Sequence, residues 1–284
     1  MKTLYVSDLD GTLLNSSQTT SEYTNNVINA LAEKGVLFSY ATARSYSTAR
    51  RAANGISAQI PLVVYNGTFV IDNLTGKRLV SNFFQSDIKN VIQELLSGSV
   101  NPIVYSIIDG KEKFSYIEKR CNAGQRLFIE SRKGDSRDNP VENETDLLKG
   151  DIFYISCIYD EKHLLPFYDK YKNQFNCLYQ KDIYDDTQWL EIMPLKATKA
   201  NGILTLKELL SCDRIVAFGD GLNDMDMFKI ADECYAVSNA VDALKAVATG
   251  IIDSNNDDGV AKWLVENVYP SLDDKKIMLM SLKI

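Results

Sequence analysis

Two aspartates, Asp8 and Asp10, stand two residues apart in VSDLDGTLL, behind an apolar run from Leu4 to Val6 and ahead of Gly11 and Thr12. Side chains alternate along a strand, so residues two apart are expected to point the same way. The two carboxylates would then meet at a strand end, where Gly11 permits a sharp exit. Neighbouring carboxylates raise one another's pKa unless a cation lies between them. With a cation there, one carboxylate stays ionised and can act as a nucleophile, while the other is placed to move a proton.

Further polar residues follow other apolar runs. Thr42 and Arg44 follow VLFSYA, Asn66 follows IPLVVY, and Asp220, Asn223 and Asp224 follow RIVAFG in the segment GDGLND. Lys199 opens the helical stretch KANGILTLKELL. Ligands of open parallel sheets gather at the carboxyl ends of the strands, so these residues are expected on one rim. Carboxylates, a hydroxyl, a lysine and an Asn-Asp pair suit a hard cation such as magnesium facing a phosphate. Thr42 and Lys199 would hold a transferring phosphoryl group, whose charge lies on its non-bridging oxygens. Asp10, slightly off the metal, would protonate the leaving oxygen and later deprotonate the attacking water. A calcium loop starting at Asp8 fails, because Leu13 and Thr19 stand where Gly and Glu belong, and DSNNDDG from Asp253 fails in the same way. GDGLND begins like a dinucleotide fingerprint but carries Asp224 in place of the third glycine.

The elements needed to position these residues are legible in the periodicity. TLYVSD, VLFSYA and IPLVVY read as strands, with helices at SEYTNNVINALAEKG and SYSTARRAAN between them. Asn66-Gly67 and DNLTGK read as hairpin turns. The last third alternates again, through KANGILTLKELL, RIVAFG, DMDMFKIA, CYAV, VDALKAVA and GVAKWLVENV. Near-continuous apolar strands alternating with helices imply an α/β fold, a Rossmann-like parallel sheet with helices on both faces. The middle differs, with the long strand DIFYISCIYD, helices at SDIKNVIQELLS and EKHLLPFYDKYK, and a polar loop SRKGDSRDNPVENETD. That α+β pattern indicates a domain over residues 82–187 inserted into a core made of 1–81 and 188–284.

Composition narrows the function. The 31 basic and 38 acidic residues leave a net charge of −7 with no basic cluster, so no nucleic-acid partner is expected. The five cysteines are scattered and odd in number, which favours reduced thiols over a disulfide or zinc framework. The run before Asp8 is too short for a signal peptide, and no stretch approaches the roughly 18 apolar residues of a membrane span. A cytoplasmic protein, monomeric or a small homo-oligomer, is expected. His163 is the only histidine and reads as a surface residue, so the chemistry must run without histidine.

DLDGTLL, ATAR, the Lys199 helix and GDGLND resemble, in order, the four motifs of the haloacid dehalogenase-like superfamily. NGTFVID, AVSNAVDALKAVA and DDGVAKWL resemble its Cof-type hydrolase branch, which carries an αβ cap between the second and third motifs. Ala43, Ala200 and Ser238 stand where that family often has glycine, each a small residue for a small one. The resemblance implies Asp8 as the nucleophile forming an aspartyl-phosphate and Asp10 as general acid/base. It implies phosphate binding by Thr42 and Lys199, and a magnesium site from Asp8, the backbone carbonyl of Asp10 and Asp220, with Asn223 and Asp224 in support. Arg44, Asn66 and Asn223 join the substrate-binding set. The expected function is hydrolysis of a small phosphorylated metabolite such as a sugar phosphate. A phosphomutase of the same architecture and a non-catalytic sugar-phosphate sensor are the alternatives.

Overall fold

A computed structural model describes residues 1–57, 60–85, 87–181 and 187–268. Ser86 of the expected helix SDIKNVIQELLS and residues 269–284 of the expected core lie outside them. The chain divides into two compact units, one made of Met1–Ser81 and the chain from Thr198 onward, the other of Asn82–Ala197. It opens with β1 (Thr3–Ser7), α1 (Glu22–Glu33), β2 (Leu37–Tyr40), α2 (Tyr46–Ala52), β3 (Leu62–Val64), β4 (Phe69–Ile71) and β5 (Arg78–Ser81). The second unit follows as α3 (Ile88–Ser97), β6 (Ile103–Ile108), β7 (Lys111–Tyr116), α4 (Ala123–Glu130), β8 (Asp138–Pro140), β9 (Asp151–Tyr159), α5 (Glu161–Tyr171), β10 (Asn176–Lys181) and β11 (Gln188–Met193). The chain returns through α6 (Lys199–Leu209), β12 (Arg214–Gly219), α7 (Met225–Ile230), β13 (Glu233–Val237), α8 (Asp242–Lys245), β14 (Gly250–Ile252) and α9 (Gly259–Val268).

The first unit is built on a five-stranded parallel sheet in the order β14-β13-β12-β1-β2. Leu4, Val6, Ile215, Ala217 and Phe218 are fully buried, as expected for strands covered on both faces. Trp263 of α9 packs its ring on Phe218 and Tyr235, at centroid distances of 5.1 and 4.5 Å, and so seals β12 and β13. From β1 the sequence proceeds to β2 on one side, whereas β12, β13 and β14 extend from the other. The resulting switch point lies between β1 and β12, where Ser7 pairs with Phe218 and Asp8 N–H donates to Phe218 O at 2.9 Å.

A small antiparallel sheet, β3-β4-β5, joins the end of β2 through a bridge between Ala41 and Val63. Its first turn has three successive residues in the left-handed region, Tyr65, Asn66 and Gly67, at φ 50°, 51° and 92°. Gly67 is needed twice over at this turn. A Cβ there would lie 2.0 Å from the carbonyl oxygen of Thr198, the residue that caps α6 through its side chain.

The second unit has a six-stranded sheet in the order β10-β11-β9-β6-β7-β8, antiparallel except for the pair β7-β8. On one face Ile92 and Leu95 of α3 and Leu164 of α5 bury Val104, Ile155, Cys157, Leu190 and Ile192. The other face is aromatic: Tyr105 packs on Phe114 and Tyr154, and Phe128 of α4 packs on Phe114 and Trp189. Three sequence expectations are corrected here. The return to the first unit falls at Thr198 and not at 188, because β11 pairs with both β9 and β10. The polar segment SRKGDSRDNPVENETD contains a strand, β8, because its backbone can pair beside β7 even though its side chains are polar. VDALKAVA is helical only over Asp242–Lys245.

The Gly67 contact gives a stability test. Gly67→Ala should lower stability by about 3 kcal/mol, combining left-handed strain with a backbone clash. Gly35 also has positive φ but has no atom within 4 Å of a new Cβ, so Gly35→Ala should cost only about 1 kcal/mol. Urea unfolding midpoints of the two variants measure the difference.

Candidate active site

At the switch point the Lys199 ammonium lies 2.6 Å from Asp8 Oδ1 and 2.7 Å from Asp224 Oδ1. The side chains of Lys199, Asp8 and Asp224 are 2%, 5% and 0% exposed, so this is a buried ion triad. Each comes from a different element: Asp8 from the end of β1, Lys199 from the first turn of α6, and Asp224 from the turn between β12 and α7. The other oxygen of Asp224 accepts from the backbone N–H groups of Asp220 and Gly221, both at 3.0 Å. Asp224 is thereby committed on both oxygens. Asp220 accepts from Thr12 Oγ1 at 3.0 Å, and a Cβ on Gly11 would lie 2.3 Å from its other oxygen. Glycine at position 11, at φ 73°, is what lets the β1 loop approach Asp220.

Asp8, Asp220 and Asp224 each offer a carboxylate oxygen within 4.8 Å of the others. Burial pushes Asp8 well above the usual carboxylate range; Lys199 draws it back, while Asp224 and Asp220 push it further up. Asp220 is pushed up to about 6, by burial first and then by the charge of Asp224. For Lys199, burial acts to lower the ammonium, but the charges of Asp224 and Asp8 outweigh it and raise the group. Three carboxylates face one ammonium, an excess of two negative charges. Among the described residues no donor reaches the second oxygen of Asp8 or of Asp220. Two open carboxylate oxygens and an uncompensated charge of that size fit a hard divalent cation.

Asp10 does not share the fate of Asp8. The strand stops at Ser7, and Leu9–Leu13 winds into a wide turn that buries Leu9 completely. Asp8 therefore points inward, while the Asp10 side chain is 50% exposed and outside the acidic cluster. The expected alternation fails because the residues after Ser7 are no longer a strand. Arg44 instead grips Asp10 with both arms, Nε to Oδ2 at 2.8 Å and Nη2 to Oδ1 at 2.5 Å.

Thr42 is fully buried just beyond β2, beside the end of β1, and its hydroxyl accepts from the Arg44 N–H at 3.1 Å. Asn66 N–H donates to Thr42 O at 2.9 Å, which ties the β3-β4 turn to the same rim. The Asn66 side chain is buried, and among the described residues neither its Oδ1 nor its Nδ2 has a hydrogen-bond partner. Such a buried amide is costly unless a ligand completes it. Asn223 lies partly buried in the turn Leu222–Asp224, its side-chain oxygen close over Gly221.

Three contributors escaped sequence reasoning. Thr12 holds Asp220, Gln18 Oε1 accepts from Arg44 Nη2 at 3.1 Å, and Asn239 Nδ2 donates to Gly11 O at 2.8 Å. Thr12 was visible as the polar residue directly behind the motif; the partners of Gln18 and Asn239 are distant in sequence, and no local signal reveals them. His163 lies on α5 in the second unit, 3.8 Å from Asp160. All five cysteines are free thiols.

The raised Asp220 carboxyl predicts a pH effect in metal-free protein. In the unfolded chain the group titrates near its ordinary value of 3.8, and in the fold near 6. The folded state thus holds the extra proton between these values, so the contribution of Asp220 to stability falls as pH rises from about 4 to about 6. Melting temperatures in a chelating buffer should show this decline, and Asp220→Asn should remove part of it. A divalent cation added above pH 6 should restore stability.

Known proteins resemble this chain in sequence and fold. A family model described as haloacid dehalogenase-like hydrolase matches residues 5–264. The 5-amino-6-(5-phospho-D-ribitylamino)uracil phosphatase YitU of Bacillus subtilis is 27% identical over 270 residues, spanning 91% of this chain and 95% of that protein. The crystal structure of TM0651 from Thermotoga maritima is similar with a TM-score of 0.78 at 23% identity, over 96% of this chain and all of that one. The HAD subclass IIB sugar phosphatase BT4131 is similar with a TM-score of 0.72 at 17% identity, over 94% of this chain and 98% of that one. Among the described residues no helix is long and apolar enough to cross a membrane. With the ordered motifs, the parallel-sheet core and the buried acidic cluster all in place, the chain belongs to the haloacid dehalogenase-like hydrolase family, as an enzyme of its phosphatase class.

Proposed function

We propose that this chain is a magnesium-dependent phosphatase that hydrolyses a small sugar or sugar-alcohol phosphate through an aspartyl-phosphate on Asp8. One observation carries the reading: the Asp8 carboxylate is buried at the switch point, 2.6 Å from Lys199 on one oxygen and open on the other. Lys199 holds Asp8 in one orientation and keeps a positive charge beside the attacking group. Asp224 orients Lys199 and the loop bearing Asp220, and so supports the site without needing to touch substrate.

A carboxylate oxygen of Asp8 attacks phosphorus while the bond from phosphorus to the ester oxygen breaks, and protonated Asp10 gives its proton to that oxygen. Asp10, now a carboxylate, takes a proton from water, which attacks phosphorus and releases Asp8 and inorganic phosphate. Thr42, Asn66 and Lys199 supply donors for the non-bridging oxygens, and the unpartnered amide of Asn66 supports that role. Asp8, the Asp10 carbonyl and Asp220 would hold magnesium, which when bound would neutralise charge on the phosphoryl group.

The relative YitU is named for a substrate whose phosphate sits on a ribityl chain, and BT4131 is named a sugar phosphatase. Those names favour a polyhydroxylated leaving alcohol here. Leaving-group selection is assigned to the second unit, since the groups around Asp8 recognise only what every phosphate ester shares.

Phosphate release from a panel of sugar phosphates, sugar-alcohol phosphates and p-nitrophenyl phosphate, with and without magnesium, tests the reading. Turnover should require the metal and should need no bisphosphate activator; dependence on one would indicate a phosphomutase. Asp8→Asn should still fold, at some cost in stability, because Lys199 keeps Asp224 as its ion partner, and should lose about a thousandfold or more in kcat. Near-native turnover in that variant would rule out the aspartyl-phosphate. Asp220→Ala should raise the magnesium requirement sharply.

A further inference from the structure

Arg44 was expected among the substrate-binding residues, yet its guanidinium is committed elsewhere. Nε and Nη2 form a two-pronged pair with Asp10, and Nη2 also donates to Gln18. Arg44 is well shielded, at 21% side-chain exposure, whereas Asp10 is half exposed. A half-exposed aspartate on a turn has several rotamers open to it. It also sits two residues from Asp8 in sequence. The planar fork of arginine fixes both oxygens of a carboxylate at once and so sets the plane of the group.

We infer that Arg44 is a positioning residue for Asp10, braced by Gln18, and that it sets how well the enzyme expels poor leaving groups. The inference rests on Asp10 being the acid/base of the proposed mechanism. Arg44 takes one lone pair on each Asp10 oxygen, and the outer lone pairs remain to carry the travelling proton. As the bond from phosphorus to the ester oxygen breaks, that proton passes from Asp10 to the departing oxygen. An alkoxide leaves badly without it, whereas p-nitrophenolate leaves without help. Misplacing Asp10 should therefore harm alkyl esters selectively. Gln18 lies at φ 58° on the loop after the Asp8 turn, and its Oε1 accepts from Arg44 Nη2.

The test compares kcat/KM, which covers every step up to leaving-group departure, for the best alkyl phosphate of the panel and for p-nitrophenyl phosphate. Arg44→Ala should lower the alkyl value by about tenfold or more beyond its effect on the aryl ester. Arg44→Lys should not restore it, because a single ammonium keeps the charge but cannot hold both oxygens. Gln18→Asn, whose shorter amide tolerates the left-handed backbone, should give a smaller loss with the same leaving-group dependence. An equal loss on both esters with weakened inhibition by inorganic phosphate would make Arg44 a phosphate ligand and overturn the inference. Full restoration by lysine would also overturn it, leaving charge alone as the cause. Asp10→Asn in the same assay separates the two levels. If Asp10→Asn shows no leaving-group dependence, the acid/base reading of Asp10 fails. If it does and Arg44→Ala does not, only the positioning role fails.

Discussion

The buried ammonium of Lys199, shared between Asp8 and Asp224, is the interaction on which the site depends. Three carboxylates gathered out of water would repel one another or take up protons. One lysine lets two of them remain close, and removing a partner from such a buried pair typically costs about 3 to 5 kcal/mol. Asp224 extends the hold, because its second oxygen takes the N–H groups of the loop that carries Asp220. Nucleophile candidate, cation and the third carboxylate are thus fixed by one knot of charge.

That knot joins parts of the chain 191 residues apart, with the whole second unit between them. The insertion is tolerated because the second unit has its own sheet and its own two packed faces. Its ends leave and re-enter the first unit at Ser81 and Thr198. Gly67 stands before the insertion and Thr198 after it, and their backbones approach too closely for any side chain at 67. This contact helps to set the start of α6, and so where Lys199 enters the rim.

Asp8 and Asp10 show how little spacing decides once a strand has ended. Leu9 is apolar and becomes fully buried, which forces the chain into a wide turn and sends the two carboxylates to different environments. One sits inside against an ammonium, the other at the surface against a guanidinium. The division suits chemistry that needs an ionised attacking group and a separate carrier of protons.

The sequence by itself determined the parallel core and the polar residues at its strand ends. Buried parallel strands must be apolar nearly throughout, so the residues that interrupt them stand out, and Asp8, Thr42, Asn66 and Asp220 were legible for that reason. The break in pattern after Ser81 announced an inserted unit, but its far boundary did not show, since β11 belongs to the second sheet by pairing alone. Pairing is a long-range hydrogen-bonding choice that leaves no local signature. Only the tertiary structure decided that Asp10 faces Arg44, that Thr12 holds Asp220, that Gln18 braces Arg44, and that Asn239 braces the loop at Gly11. Each of these is a contact between polar groups outside the regular elements, where no periodicity exists and the partner is set by how distant segments pack.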